Sequence, residues 1–126
     1  MRFCKEERLC KRTLMDTLFS EGKAVHTTGF TLVYFFTPLP TAFPAQIVFS
    51  VPKKKFPRAH QRNRVKRLMR EAWRHQKGGC YQWLQAANRQ LAVAWLCKGN
   101  EIPDYQTVYS ALEKLLQRLM KPETLH

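Results

Sequence analysis

The chain has 126 residues, with 22 Lys plus Arg against 9 Asp plus Glu and a net charge of +13. Its length suits one domain over residues 1–126 and excludes two independent cores, and three Trp with eight Phe in a 44% hydrophobic sequence exclude disorder throughout. Such charge is self-repulsive unless a polyanion offsets it; with no signal peptide, no lipidation site and no apolar run near the roughly 20 residues that span a bilayer, the expected place is the cytoplasm, away from membranes.

In chain order, the first periodic segment runs from about Lys11 to Glu21, with Leu14, Met15, Leu18 and Phe19 at helical spacing and Gly22 at the C-terminal cap. "AVHTTGFTLVYFF" (24–36) is rich in β-branched and aromatic residues and predicts a short strand followed by a longer one. Pro38, Pro40 and Pro44 then force a loop, because proline lacks the N–H that a central strand donates. "QIVFSV" (46–51) is a further strand, ended by Pro52.

From Ala59 to about Gln76 the period changes to 3.6, with Val65, Leu68, Met69, Ala72 and Trp73 on one face, and Gly78-Gly79 is expected to stop that helix. The order of residues 77–89 is left open. "QLAVAWLC" (90–97) predicts a buried strand with Gly99-Asn100 as its turn. Val108, Ala111, Leu112, Leu115, Leu116 and Leu119 stripe a last helix, with Asp104 as its N-cap. The order α-β-β-β-α-β-α predicts an α+β fold, a two-layer α/β sandwich with its sheet covered by helices.

Cys4, Cys10, Cys80 and Cys97 match neither a C-x-x-C pair nor a zinc pattern with His26, His60, His75 or His126. They are expected to be free thiols, Cys97 half-buried near a strand end.

The charge is focused: residues 53–74 hold ten Lys or Arg, among them Lys53, Lys54, Lys55 and Arg58, against the single acid Glu71. On a helical wheel Arg62, Lys66, Arg70 and Arg74 form an i, i+4, i+8, i+12 row beside the apolar stripe, and Arg67 widens the basic face. Like charges at i, i+4 repel by a few tenths of a kcal/mol per pair, so the row favours an external counter-charge. The planar fork of arginine suits phosphate oxygens and base stacking, so the expected ligand is a nucleic-acid backbone.

Arg62-Asn63-Arg64-x-Lys66-Arg67-x-x-Arg70-Glu71 resembles the R-N-R-x-K-R-x-x-R-E signature of the bacterial ribonuclease P protein subunit. "RLCKRTLMDTLFSEGK" (8–23), "FSVPKKKF" (49–56) and "QLAVAWLCKGNEIPDYQTVYSALEKLL" (90–116) are similar to that family's first helix, the strand leading into the signature helix, and the last strand and helix. The resemblance implies a ribosomal protein S5 domain 2-like sandwich with a left-handed βαβ crossover, where handedness rules alone give a right-handed one. It implies a subunit that binds the catalytic RNA of ribonuclease P and the single-stranded 5′ leader of precursor tRNA. The holoenzyme, an endoribonuclease, removes the leader by hydrolysing one phosphodiester, with Mg²⁺ held mainly by the RNA and none bound by the protein alone.

Carried over residue by residue, Arg62, Asn63, Arg64, Lys66, Arg67 and Arg70 fall on the family's RNA-contacting motif and Lys53 and Lys54 on the basic pair before it, with Arg58 and Arg74 extending the same surface. Phe19 and Phe30 fall near the leader cleft, and Met15 stands where an aromatic is common one turn before Phe19. For both phenylalanines the alternative is core packing. "KFPRAHQ" (55–61) departs from the family by lacking a glycine in this stretch.

No protein-borne active site or metal constellation is evident, so catalysis is assigned to the RNA. Asn63 could hydrogen-bond RNA, cap locally or order a hydrated metal. The free protein is expected to be monomeric. Two rivals share the charge pattern: a structural RNA-binding protein of ribosomal type, and a DNA-binding regulator with the 59–76 helix in a major groove. The second lacks the preceding helix and short turn of a helix-turn-helix, so no DNA partner is expected.

Overall fold

The computed structural model describes residues 5–125, so Cys4 and His126 lie outside the described residues. A 3-10 turn at Lys5–Glu7 leads to α1 (Arg12–Glu21), β1 (Lys23–Thr27), β2 (Phe30–Phe36), β3 (Ala45–Ser50), α2 (Ala59–Ala87), β4 (Leu91–Cys97) and α3 (Tyr105–Leu119), with a last 3-10 turn at Pro122–Leu125. The strands form one sheet in the order β1-β2-β4-β3, antiparallel except for the parallel β3–β4 pair. This is the expected α+β element order.

Local chemistry accounts for most boundaries. Thr27 pairs with Phe30, which leaves Thr28-Gly29 as the turn of the β1–β2 hairpin, and Gly29, its second residue, takes a positive φ (80°) that glycine adopts without steric cost. Gly22 has an ordinary φ of −69° and is needed for space instead: a Cβ there would collide with the Leu18 carbonyl oxygen and meet that of Tyr34 at 3.0 Å. The proline loop after β2 is braced by Gln90. Its side-chain oxygen accepts the Leu39 N–H at 2.8 Å and its amide donates to the carbonyls of Thr41 (2.8 Å) and Phe43 (3.0 Å). One amide thus satisfies backbone groups that have no strand partner.

Alternation along the strands divides the sheet into two faces. Phe30, Leu32 and Tyr34 of β2, Ile47 of β3, and Val93 and Trp95 of β4 pack with α2 and α3 in the larger core. Val33, Phe35, Val48, Ala92 and Ala94 face the other way and pack with Leu14, Met15 and Leu18 of α1. The main sandwich is therefore the sheet with α2 and α3, and α1 lies on the opposite face.

Helix α2 departs from expectation. It does not stop at Gly78-Gly79 but continues to Ala87, 29 residues and about 44 Å in all. Two glycines cost about 1 kcal/mol each relative to alanine, but Cys80, Tyr81 and Leu84 beyond them are buried, and a fully buried leucine alone contributes about 1.5–3 kcal/mol. The helix ends at Asn88, left-handed at φ 54°, with Asn88 N–H bonded to Gln85 O and Arg89 N–H to Leu84 O. Residues 77–87 are thus helical. Because a Cβ at Gly79 would meet nothing within 4 Å, Gly79→Ala should raise stability by about 0.5–1 kcal/mol, read as a higher denaturation midpoint at unchanged m-value.

Helix α3 begins as expected. Asp104 accepts the Thr107 N–H at 2.8 Å, and hydrogen bonding from Thr107 holds its carboxyl below the usual aspartate range. Cys10, Cys80 and Cys97 are free; Cys10 is exposed, and Cys97, expected half-buried, is enclosed. Burial pushes the Cys80 thiol up to about 12 and raises that of Cys97, so neither is a thiolate at neutral pH.

Candidate nucleic-acid interface

The cations gather where the parallel strands β3 and β4 end, around Ser50 and Leu96. The chain leaves β3 through Val51-Pro52, turns with a Phe56 N–H to Pro52 O bond of 3.1 Å, and enters α2 after Arg58. Phe56 is 2% exposed and anchors this loop in the core. Around the anchor, Lys53, Lys54, Lys55 and Arg58 are exposed or nearly so, and Lys55 donates to the Lys98 carbonyl at 2.6 Å. The first turn of α2 carries no acid and no capping side chain, so its amide dipole and its cations favour an anion together.

The expected row of four equivalent cations is uneven. The Arg62 guanidinium donates to the carbonyls of Phe56 (2.7 Å) and Pro57 (3.0 Å), locking the loop against the helix. Arg74 pairs with Glu71, which also meets His75 at 3.1 Å. The Arg74 hydrogen bond lowers the Glu71 carboxyl from its ordinary value, and the same interaction raises the Arg74 guanidinium. Arg64, Arg67 and Arg70 are exposed and have no internal hydrogen bond or ion pair among the described residues. Lys66 is half-buried; Asn63 is exposed and caps nothing.

The row has an end that the sequence did not reveal. At about 100° per residue, the sector of α2 that carries Lys66, Arg70 and Arg74 next carries Lys77 and Tyr81, and there it is buried. What covers it is the N-terminal strap. Glu7 is fully buried and accepts from Lys77 Nζ at 2.7 Å and from the Tyr81 hydroxyl with the same oxygen. Burial first, and then the bond to Glu7, raise the Tyr81 phenol well above its ordinary value. Glu6-Glu7 reads in sequence as two more scattered acids, and Lys77 lies beyond the expected end of the helix. The i, i+4 spacing of Lys77 and Tyr81 is the only local signal, and it carries meaning only once α2 is known to continue.

The three cleft residues are not brought together. Phe19 on α1 is 53% exposed, the only large hydrophobic so exposed among the described residues, and Met15 packs one turn before it on the α1-side core. Phe30 is on the other face of the sheet, 3% exposed, with its ring 5.8 Å from Trp95. Phe30 is therefore a core residue, because its position in β2 alternates toward α2 and α3. A strand and loop precede α2, not a helix and short turn, which removes the helix-turn-helix geometry. Among the described residues no group of three or more His, Cys, Asp or Glu side chains could hold a metal ion.

The family model of ribonuclease P matches residues 3–120. The chain is 39% identical over 115 residues to the ribonuclease P protein component of Porphyromonas gingivalis, covering 91% of this chain and 84% of that one. It is 30% identical to that of Chlorobium phaeobacteroides, covering 94% and 88%. Among solved structures, the RNase P protein from Thermotoga maritima superposes with a TM-score of 0.69 at 26% identity, covering 89% of this chain and 96% of that one. A Staphylococcus aureus RNase P protein shares the fold with a TM-score of 0.72 at 18% identity, covering 90% and 95%.

Proposed function

Because the chain belongs to the ribonuclease P protein family, we propose that its cations contact the catalytic RNA of that enzyme and that Phe19 meets the single-stranded leader of precursor tRNA. As the protein component it assists the RNA subunit in removing the tRNA 5′ leader, and the chemistry belongs to the RNA. The observation that carries the interface is the unpaired trio Arg64, Arg67 and Arg70 beside the anchored loop of Lys53, Lys54 and Arg58. Arg62 contributes by fixing that loop, Lys66 and Arg74 flank the trio, and Asn63 offers an amide to RNA.

In physical terms the protein places positive charge where two polyanions meet, lowering a repulsion that dissolved Mg²⁺ would otherwise have to screen. On this reading the Mg²⁺ of the reaction is held mainly by RNA phosphates. The chain acts as one RNA-binding unit, monomeric before assembly and cytoplasmic. No helix among the described residues is long and apolar enough to cross a membrane.

Reconstitution tests the reading. The protein is added to the ribonuclease P RNA of its own source, at Mg²⁺ too low for the RNA alone, with a precursor tRNA that carries a leader. Cleavage at the mature 5′ end appears only with the protein. Tight RNA binding without stimulation would favour the ribosomal-type alternative. Phe19→Ala should weaken binding of leader-bearing precursor to the assembled particle by about 1–3 kcal/mol, the size of one base stack, with an unchanged melting temperature.

A further inference from the structure

We propose that Glu7 is a positioning residue for leader recognition: it locks the strap before α1 onto the C-terminal half of the RNA-contacting helix, in line with its basic row, and so sets α1, with Phe19, relative to α2. The inference rests on the function proposed above. The strap runs along the outer edge of β3. Arg8 bridges to Ile47, the Leu9 N–H donates to Ile47 O at 3.0 Å, and the Gln46 amide donates to Glu6 O at 2.8 Å.

Its side chains enter both layers. Glu7 reaches Lys77 and Tyr81 of α2, whereas Leu9 packs with Leu18, Ala92 and Ala94 in the α1-side core. Only Leu18 of α1 is fully buried, so the helix that displays Phe19 depends on what fixes the chain just before it. The Glu7 carboxylate also joins Lys77 and Tyr81 across Gly78-Gly79, the weakest point of α2 by helix propensity. Docking the strap therefore holds α2 continuous past its basic row and fixes the base of α1 with one buried carboxylate. Conversely, a strap released from β3 leaves α1 free to shift, and a shift of about 1 Å is enough to spoil a stacking geometry.

The test uses the reconstituted holoenzyme with precursor tRNA with and without its leader. Glu7→Gln keeps the shape and removes the charge. Leader-bearing precursor should bind about five- to a hundredfold more weakly, the range set by one base stack, while leaderless precursor and the catalytic RNA bind within about twofold of wild type. In the same variant the Leu9 amide should exchange its hydrogen faster, reporting release from Ile47. Combining Glu7→Gln with Lys77→Met, which removes both charges of this buried ion pair, should recover leader affinity. If Glu7→Gln fails to fold, Tyr81→Phe, which removes only the hydroxyl donor, takes the same measurements.

Equal weakening toward both precursors would overturn the proposal in favour of a role in stability alone. So would unchanged leader affinity with a rapidly exchanging Leu9 amide. A wild-type holoenzyme that does not distinguish the two precursors would instead remove the leader-binding reading on which the proposal rests.

Discussion

Replacing Arg64, Arg67 and Arg70 together with alanine is expected to weaken assembly with the catalytic RNA by about 4 kcal/mol or more, roughly three orders of magnitude. The three guanidinium groups are exposed and uncommitted within the protein, so each is available for charge-assisted bonds to phosphate, worth about 1.5–3 kcal/mol apiece before non-additivity. The slope of log affinity against log salt should flatten by about 2–3, since each phosphate left without its cation removes about 0.7–0.9 from it. Thermal stability should hold or rise slightly, because removing like charges from one helix face relieves repulsion. An unchanged slope would place the RNA elsewhere on the protein. Arg62→Ala should behave differently: it gives up the bonds to Phe56 and Pro57, so stability falls together with affinity.

The largest effect on folding is expected at Trp95. It is fully buried at the centre of β4, with ring neighbours Phe30 at 5.8 Å and Phe49 at 6.2 Å. Trp95→Ala should cost about 3–5 kcal/mol through forfeited transfer energy and the cavity left behind. That is a large part of the roughly 5–15 kcal/mol that holds a domain together, and it should lower the melting temperature by about 10 °C or more. Trp95→Phe should be far milder, about 1.5 kcal/mol or less. The indole N–H has no hydrogen-bond partner among the described residues, so its removal sacrifices no bond and offsets part of the reduced volume. Denaturant titration of the two variants separates these outcomes. A large loss for the phenylalanine variant would show that the indole N–H is satisfied in solution.

What could be read from the sequence was what neighbouring residues decide. The α1 stripe, the short and the longer strand within 24–36, the Asp104 cap and the clustering of cations from Lys53 to Arg74 all depend on residues within a few positions of one another, and spacing reports those directly. The length of α2 was hidden because Gly78-Gly79 is a sound local stop that burial of Tyr81 and Leu84 overrides. Glu7 was hidden for a related reason. Its partners lie 70 and 74 positions away, and a carboxylate in sequence looks the same solvated or enclosed. Phe30 and Phe19 show the limit of resemblance: both are aromatics at matching positions, yet strand alternation turns Phe30 into the core, while the turn of α1 leaves Phe19 on the surface.

The position of β4 between β2 and β3 bears on how a nascent chain behaves. As synthesis proceeds from the N-terminus, β2 and β3 have no common neighbour until residues 91–97 have left the ribosome, on the order of 3–12 s after β2 at about 5–20 residues per second. During that interval only the β1–β2 hairpin can pair, while β3 and the arginine signature stand on a chain without a sheet beneath them. A fragment released before Leu91 would therefore keep the full charge of the interface and none of the scaffold that aims it. Such a fragment would bind RNA indiscriminately and offer proteases and chaperones an open hairpin edge.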